Sequence, residues 1–290
     1  MDYLHFLTLQ ITGNCDLKCE SCSNIQLQTI SCSSSENELE CECIERIFAQ
    51  ISGCNLASIS IVGGNIFGYK EWDKLMVLLH QYHYCYNLYT DYRHLCISEV
   101  NLQEIKSLNC IVKVIVNDEF EQNILKKALL MVSDIDFELI FHISSEEQMQ
   151  SAGAFCEKYQ VENYTLQPVY SNFNPGFFRD FIFMDEESLM GSPISKQTIF
   201  ANMTLNTIDF GKLSILANGN VYANLNFPEL GNIKKDSIRD MIMIELDKGE
   251  SWFRIRDKKP CSDCIYQWLC PPPSNYEIAV GKLNLCHVKK

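Results

Sequence analysis

The chain has 290 residues and 15 cysteines, 47% of its residues are apolar, and its formal net charge is −13. A chain of this length can bury a sizeable core, so we expect a globular protein. The acidic charge argues against a nucleic-acid partner, and the lack of a long apolar run argues against a membrane span. Because the N-terminus has no signal-peptide pattern, the many cysteines indicate a reducing compartment, and we predict a cytoplasmic protein.

The first 170 residues alternate strand-like and helix-like segments. Alternating and β-branched apolar residues predict six strands: His5–Thr12, Ala57–Val62, Asn87–Thr90, Cys110–Val116, Asp136–His142 and Val161–Tyr170. Helical apolar spacing predicts five helices between them: Glu38–Ile51, Lys70–Tyr82, Asn101–Leu108, Glu119–Val132, and Ser145–Tyr159 with Ser144 or Ser145 as its cap. Such alternation predicts parallel strands covered by helices, and six units suit an α/β fold with an open, partial (β/α)6 TIM-like barrel at residues 1–170.

The alternation stops after about residue 171. We expect a linker at residues 171–212, with a turn-rich Ser171–Asp180 and an irregular Phe181–Asn206. Leu213–Asn224 predicts a hairpin that turns at Asn218-Gly219, and Asp236–Lys248 predicts a helix capped by Asp236. The final forty residues have little periodicity, so we expect a small C-terminal domain at residues 213–290 that a metal site holds together.

Two groups of cysteines have regular spacing. Cys15, Cys19 and Cys22 follow the first strand as C-x3-C-x2-C; three thiolates on one loop can hold three irons of a [4Fe–4S] cube and leave the fourth iron open. A second group offers four ligands: Cys261, Cys264, Cys270 and Cys286. Thiolate-only sets suit iron–sulfur clusters or zinc. The other eight are scattered and predict small buried apolar residues: Cys32, Cys41, Cys43, Cys54, Cys85, Cys96, Cys110 and Cys156.

The second strand ends in Gly63-Gly64-Asn65. Two glycines there are also typical of an ordinary βα turn. In parallel α/β folds, however, the carboxyl ends of the strands meet at one rim, where the chemistry is found. We therefore expect these residues and the three-cysteine loop to lie on the same rim.

Together, the three-cysteine loop, the Gly-Gly pair and the six-unit barrel resemble the radical S-adenosylmethionine enzymes, over residues 5–290. The C-terminal third resembles their SPASM or Twitch-like extension in the hairpin, in Leu230-Gly231-Asn232-Ile233 and in the spacing of the second cysteine group. The run from Cys270 to Glu277 further resembles the grasp-with-spasm peptide maturases.

The resemblance implies a role for each motif. Cys15, Cys19 and Cys22 would hold a [4Fe–4S] cluster that binds S-adenosylmethionine and cleaves it with one electron to a 5′-deoxyadenosyl radical. Gly63, Gly64 and Asn65 would contact the cofactor, as would Ser144. The substrate would be a ribosomally made precursor peptide that receives a crosslink or another modification, and an external donor would supply the electron.

Three departures from the family pattern stand out. Asn65 replaces the family's acid: its amide can still accept a hydrogen bond from the cofactor's ammonium, but it loses the charge-assisted contribution of about 1–2 kcal/mol. Ser21 replaces an aromatic residue beside the third cysteine. The hairpin ends Tyr222-Ala223-Asn224 without a cysteine, and Ser274 takes another ligand position. We therefore predict one auxiliary [4Fe–4S] cluster, at the second cysteine group, for electron transfer or for holding the fold.

Two alternatives stay open. Asn65 and Ser21 also suit a cluster-containing scaffold or partner protein that has lost turnover, and the C-terminal thiolates would satisfy zinc equally well. Polar residues near strand ends are candidates for the pocket, although each is also explained as a structural residue: Asp118, His142, Ser144, Gln167 and Tyr170. The chain begins directly at the first strand, so we expect leader recognition by the barrel edge, by the SPASM segment, or by a separate partner; an ATP-grasp ligase is another candidate partner.

Overall fold

The computed structural model describes residues 3–17, 19, 22, 24–28, 37–97, 102–117, 119–191 and 193–287. Nine strands form one sheet: β1 Phe6–Thr12, β2 Ser58–Gly63, β3 Tyr86–Asp91, β4 Cys110–Val116, β5 Phe137–Ile143, β6 Tyr164–Pro168, β7 Lys212–Ile215, β8 Asn220–Tyr222 and β9 Gly231–Asn232. Their order is β6-β5-β4-β3-β2-β1-β7-β8-β9, and β1 to β6 pair in parallel. The six predicted parallel strands are confirmed.

Eleven helices lie among the described residues: α1 Cys41–Ile51, α2 Trp72–Gln81, α3 Tyr92–Ile97, α4 Leu102–Lys106, α5 Gln122–Val132, α6 Glu146–Tyr159, α7 Pro175–Phe181, α8 Glu186–Gly191, α9 Lys196–Thr204, α10 Ile238–Lys248 and α11 Asn275–Val280. Single 3₁₀ turns occur at Ile25–Leu27, Ile66–Gly68 and Cys261–Asp263. The five predicted barrel helices are confirmed to within a few residues. In the part of the chain that the structure describes, no helix is long and apolar enough to cross a membrane.

The prediction of an irregular segment after β6 was wrong, because α7, α8 and α9 lie there. These helices are short, and tertiary packing of residues such as Phe178 and Leu189, 1% and 2% exposed, supports them more than periodicity does. The predicted cap of α10 was also wrong. Ser237 accepts the N–H of Asp240 at 3.1 Å, whereas Asp236 accepts the N–H of Asn232 at 2.8 Å.

The apolar core lies between the outer face of the sheet and the helices. On β1, Leu7, Leu9 and Ile11 are at most 1% exposed, and on α1, Ile47 and Phe48 are fully buried. Each such side chain contributes roughly 1.5–3 kcal/mol of hydrophobic stabilisation. The alternate residues of the strands face the inside of the curved sheet, and many of them are polar. This side of the sheet is therefore able to form a polar chamber.

The predicted hairpin is confirmed as β7 and β8, which pair antiparallel and turn at Gly219 with φ +91°. β7 also pairs in parallel with β1, so the hairpin extends the barrel sheet. Farther along the chain, Trp252 is fully buried and its Nε1 donates to the carbonyl of Lys212 at 3.1 Å. The division at residue 213 stays a prediction. The Trp252 contact joins the end of the chain to β7, and β7 in turn pairs with β1.

Candidate functional site

The three-cysteine loop and the Gly-Gly segment are in direct contact at the carboxyl ends of β1 and β2. The N–H of Gly64 donates to the carbonyl of Thr12 at 3.2 Å, and the N–H of Asn65 donates to that of Asn14 at 2.8 Å. A Cβ on Gly64 would lie 2.0 Å from the Asn14 carbonyl oxygen, far inside van der Waals contact. Glycine is therefore needed here because the loop passes directly over the backbone.

Cys15, Cys19 and Cys22 line one pocket together with Gly63 and Gly64. All three cysteines are half-buried. A hydrogen bond with the Cys22 thiol, together with burial, raises the pKa of the Cys19 thiol. The sulfurs of Cys19 and Cys22 therefore lie within hydrogen-bond reach of each other. They lie at the carboxyl ends of the parallel strands, where the sequence predicts the site.

Basic side chains that the sequence did not single out face two of these sulfurs. Both come from the start of α3, directly after β3. Arg93 Nη2 donates to Cys19 Sγ at 3.0 Å, and His94 Nε2 lies 3.7 Å from Cys15 Sγ. Burial lowers the pKa of His94, which disfavours a positive charge on its ring. Its Nδ1 is buried without a hydrogen-bond partner among the described residues.

A chain of polar contacts crosses the strand ends behind this pocket. Asn117, which follows β4, donates through Nδ2 to Asp91 Oδ2 at 2.9 Å, and its Oδ1 lies 2.6 Å from His142 Nδ1 on β5. Burial lowers the pKa of His142 to about 4, against an opposing hydrogen bond with Gln167 on β6. In the sequence, these residues could be recognised only by their positions near the carboxyl ends of predicted strands.

The other predicted pocket residues have different places. Ser144 lies at the end of β5, and its hydroxyl donates to Gln148 Oε1 at 3.0 Å. Asn65 precedes the 3₁₀ turn at Ile66–Gly68, and Tyr170 packs its ring on Phe178. Ser21 and Asp118 lie outside the described residues. Cofactor contacts by Ser144 and Asn65 stay predictions.

The four C-terminal cysteines also meet, at a cavity of about 320 Å³ that all of them line. Burial raises the pKa of Cys270 to about 11; the Arg256 charge opposes this shift, and electrostatic interactions with the other three cysteines add to it. Arg256 Nη1 lies 3.8 Å from Cys261 Sγ, and its Nη2 donates to Glu277 Oε1 at 2.9 Å.

Asn224 and Ser274 stand where the family has further cysteine ligands, and in this structure both side chains form hydrogen bonds within the protein. Asn224 Nδ2 donates to Asp209 Oδ2 at 3.0 Å and to Asn275 Oδ1 at 2.7 Å. Ser274 forms a capping box with Glu277 at the start of α11. Neither side chain is a thiolate, so these two residues suit hydrogen bonds within the chain and not metal binding.

Within the described part of the chain, no three or more His, Cys, Asp or Glu side chains stand at metal-coordinating spacing. The fit of a cluster is therefore judged by donor chemistry and enclosure. Both cysteine groups present sulfur donors only, each group lines one pocket, and each has an arginine beside a sulfur. Thiolate donors hold iron–sulfur clusters, and N–H donors beside the sulfurs tune their potential, so both groups fit a cluster.

A polar chamber of about 610 Å³ lies inside the curved sheet. Its lining includes hydroxyl and amide side chains of successive strands and residues of the C-terminal segment: Thr8, Ser58, Ser60, Asn87, Gln167, Ser214, Ser274 and Asn275. Tyr89 lines both this chamber and the pocket of the three cysteines. A molecule in the chamber would therefore lie next to the three-cysteine loop.

The sequence matches no family model and no curated protein. Among solved structures, the fold is similar to that of Streptococcus suis SuiB bound to the precursor peptide SuiA, with a TM-score of 0.63 and 13% identity, covering 99% of this chain and 75% of SuiB. SuiB bound to S-adenosylmethionine aligns with a TM-score of 0.56 and 12% identity, over 98% of this chain and 76% of SuiB.

Native anSMEcpe with bound AdoMet aligns with a TM-score of 0.60 and 15% identity, over 91% of this chain and 88% of that one. At such low identity the likeness shows the fold. The chain therefore shares the fold of SuiB and anSMEcpe, which confirms the predicted α/β class with its parallel sheet.

Proposed function

We propose that this protein is a radical S-adenosylmethionine enzyme that modifies a ribosomally made precursor peptide. One observation carries the proposal: the three cysteines and the Gly-Gly segment meet at one rim, beside a polar chamber of about 610 Å³. A fold shared with a protein bound to its precursor peptide supports a peptide as the substrate.

In this proposal, Cys15, Cys19 and Cys22 hold a [4Fe–4S] cluster with an open iron. When bound, the cluster and S-adenosylmethionine supply a 5′-deoxyadenosyl radical, formed with one electron from an external donor, that takes a hydrogen atom from the peptide. Gly64 lets the Asn65 segment approach the loop closely, so the backbone at Gly63 and Gly64 can border the cofactor's amino group. A second, auxiliary [4Fe–4S] cluster is proposed at Cys261, Cys264, Cys270 and Cys286.

The residues of the chain then position the reactants. The partial burial of the three cysteines limits water at the sulfurs, and the burial of His94 disfavours a positive charge beside Cys15. The hydroxyls and amides of the chamber can hydrogen-bond to a peptide backbone or to polar side chains. The proposal extends to a crosslink or another modification as the product. It also extends to a leader-recognition protein or an ATP-grasp ligase as a partner.

The test is anaerobic reconstitution with iron and sulfide, reduction with dithionite, and chromatography for 5′-deoxyadenosine, with the Cys15→Ala/Cys19→Ala/Cys22→Ala protein as the control. We expect product from the wild type alone. Co-expression with a peptide encoded nearby, followed by mass spectrometry, would then reveal the modification. If the cluster-loaded protein forms no 5′-deoxyadenosine, with or without peptide, the proposal that it is an enzyme is wrong.

That negative result would favour the second candidate, a cluster-containing scaffold, for which the neutral Asn65 is the specific observation. Metal analysis of the same triple variant separates an auxiliary cluster from zinc. About four irons per chain should remain if the C-terminal cysteines hold a [4Fe–4S] cluster. Zinc without iron would show a structural zinc site instead.

A further inference from the structure

Arg93 is held against the sulfur of Cys19 by Asp91. Its Nη2 donates to Cys19 Sγ at 3.0 Å, while its Nε and Nη2 donate to the two carboxylate oxygens of Asp91, each at 2.8 Å. The Asp91 carboxylate also accepts the backbone N–H of Arg93 at 2.9 Å. This two-point ion pair fixes the plane of the guanidinium, so the protein itself aims the N–H that faces the sulfur.

Asp91 is held in turn by the neighbouring strands. Asn117 Nδ2 donates to Asp91 Oδ2 at 2.9 Å, and Asn117 Oδ1 contacts His142. The Asp91 side chain is 8% exposed and the Arg93 side chain 27% exposed. Asp91 Oδ2 also lies 3.9 Å from Cys19 Sγ. One cationic group, partly exposed, and one anionic group, almost fully buried, therefore face the same sulfur.

We propose that Arg93 and Asp91 are positioning residues that set the reduction potential of the iron–sulfur cluster at Cys19, Arg93 raising it and Asp91 lowering it. The inference rests on the proposed function, in which Cys15, Cys19 and Cys22 hold that cluster.

The physical reason is the charge that reduction adds. One electron passes from the donor to the cluster, so the reduced form places more negative charge on the ligating sulfurs. A guanidinium that donates to Sγ stabilises the reduced form, and a carboxylate nearby destabilises it. Both effects are stronger than in water because Asp91 is almost fully buried and Arg93 is only partly exposed.

The test compares Arg93→Gln, Arg93→Lys and Asp91→Asn in the full chain after anaerobic reconstitution. The midpoint of each is measured by redox titration followed by electron paramagnetic resonance. The relevant signal is the one that the Cys15→Ala/Cys19→Ala/Cys22→Ala protein lacks, and the auxiliary cluster provides an internal reference. Arg179→Gln is the matched control, because it removes an arginine paired with Asp180 at an exposed site.

We expect Arg93→Gln to lower the midpoint and Asp91→Asn to raise it. Each shift should be at least a tenfold change in the ratio of reduced to oxidised cluster at a fixed potential, which is about 59 mV for one electron. Arg93→Lys keeps the charge but loses the planar fork, so its midpoint should lie between those of the wild type and Arg93→Gln. The Arg179→Gln midpoint should not move.

Unchanged midpoints in both variants would show that the pair only supports the fold. A lower midpoint in both variants would overturn the separate effect proposed for Asp91, because Asp91 would then act only by holding Arg93 against the sulfur. The proposal would also be wrong if Arg93→Gln kept its midpoint but bound S-adenosylmethionine more weakly, because Arg93 would then contact the cofactor and not the sulfur. Should Arg93→Gln fail to take up iron, the sign of the Asp91→Asn shift decides. Absence of iron at the three cysteines of the wild type contradicts the proposed function itself, and metal analysis reveals this before any titration.

Discussion

Gly64→Ala tests the close contact between the cysteine loop and the Gly-Gly segment. The added Cβ would lie 2.0 Å from the Asn14 carbonyl oxygen and 2.7 Å from Cys15 Cβ. The nearest neighbours are backbone and a side-chain root, so rotation of a flexible side chain cannot relieve the clash. The loop must therefore move away from β2.

The distances set the size of the effect. A Cβ requires a separation of about 3 Å or more from a neighbouring atom, so Asn14 must shift by about 1 Å. Cys15 is the next residue, and a shift of this size is large against the tolerance of about 0.2 Å in metal–ligand distances. Overpacking costs about 1–3 kcal/mol, and weakening the hydrogen bond from Asn65 N–H to Asn14 adds about 1 kcal/mol.

The assay combines urea unfolding of the metal-free, reduced protein with iron analysis after reconstitution. We expect Gly64→Ala to lower the free energy of unfolding by about 2–4 kcal/mol and to lose the iron held by the three N-terminal cysteines, while the C-terminal site keeps its metal. Gly153→Ala is the control, since a Cβ there meets nothing within 4 Å and alanine favours the helix. Wild-type stability and full iron loading in Gly64→Ala would refute the reasoning.

Three further predictions concern stability. The pKa of His142 is about 4 in the folded protein, so as the pH falls the unfolded chain binds the proton first. The free energy of unfolding should therefore fall by up to about 3 kcal/mol as the pH drops from about 6.5 toward 4. His142→Gln should flatten this pH dependence in urea titrations of the metal-free protein, and an unchanged slope would contradict it. Arg256→Met leaves Glu277 as a buried charge without its cationic partner and should lower the free energy of unfolding by about 3–5 kcal/mol. Arg179→Met, at an exposed pair, should leave the free energy of unfolding nearly unchanged. Trp252→Ala should cost about 3–5 kcal/mol by urea unfolding, and a much smaller loss would mean that the C-terminal segment does not depend on its contact with β7.

The cysteine sets and the rim were predictable because spacing and alternation are local properties. A strand that ends at Thr12 puts Cys15 on the carboxyl side, and a parallel neighbour ending at Gly63 puts the glycines there too. The short helices α7 to α9 were missed because fewer than three turns give little periodicity, and packing of Phe178 and Leu189 stabilises them.

By itself, the sequence determined the α/β class, the six parallel strands, the two sulfur donor sets and their places along the chain. Only the tertiary structure decided which residues meet. Arg93 reaches Cys19 across 74 positions of sequence, and Asp91, Asn117 and His142 come together because β3, β4 and β5 are neighbours in the sheet. Periodicity reports which face of an element is buried, whereas contacts between strand ends depend on strand order and register, which the sheet sets as a whole.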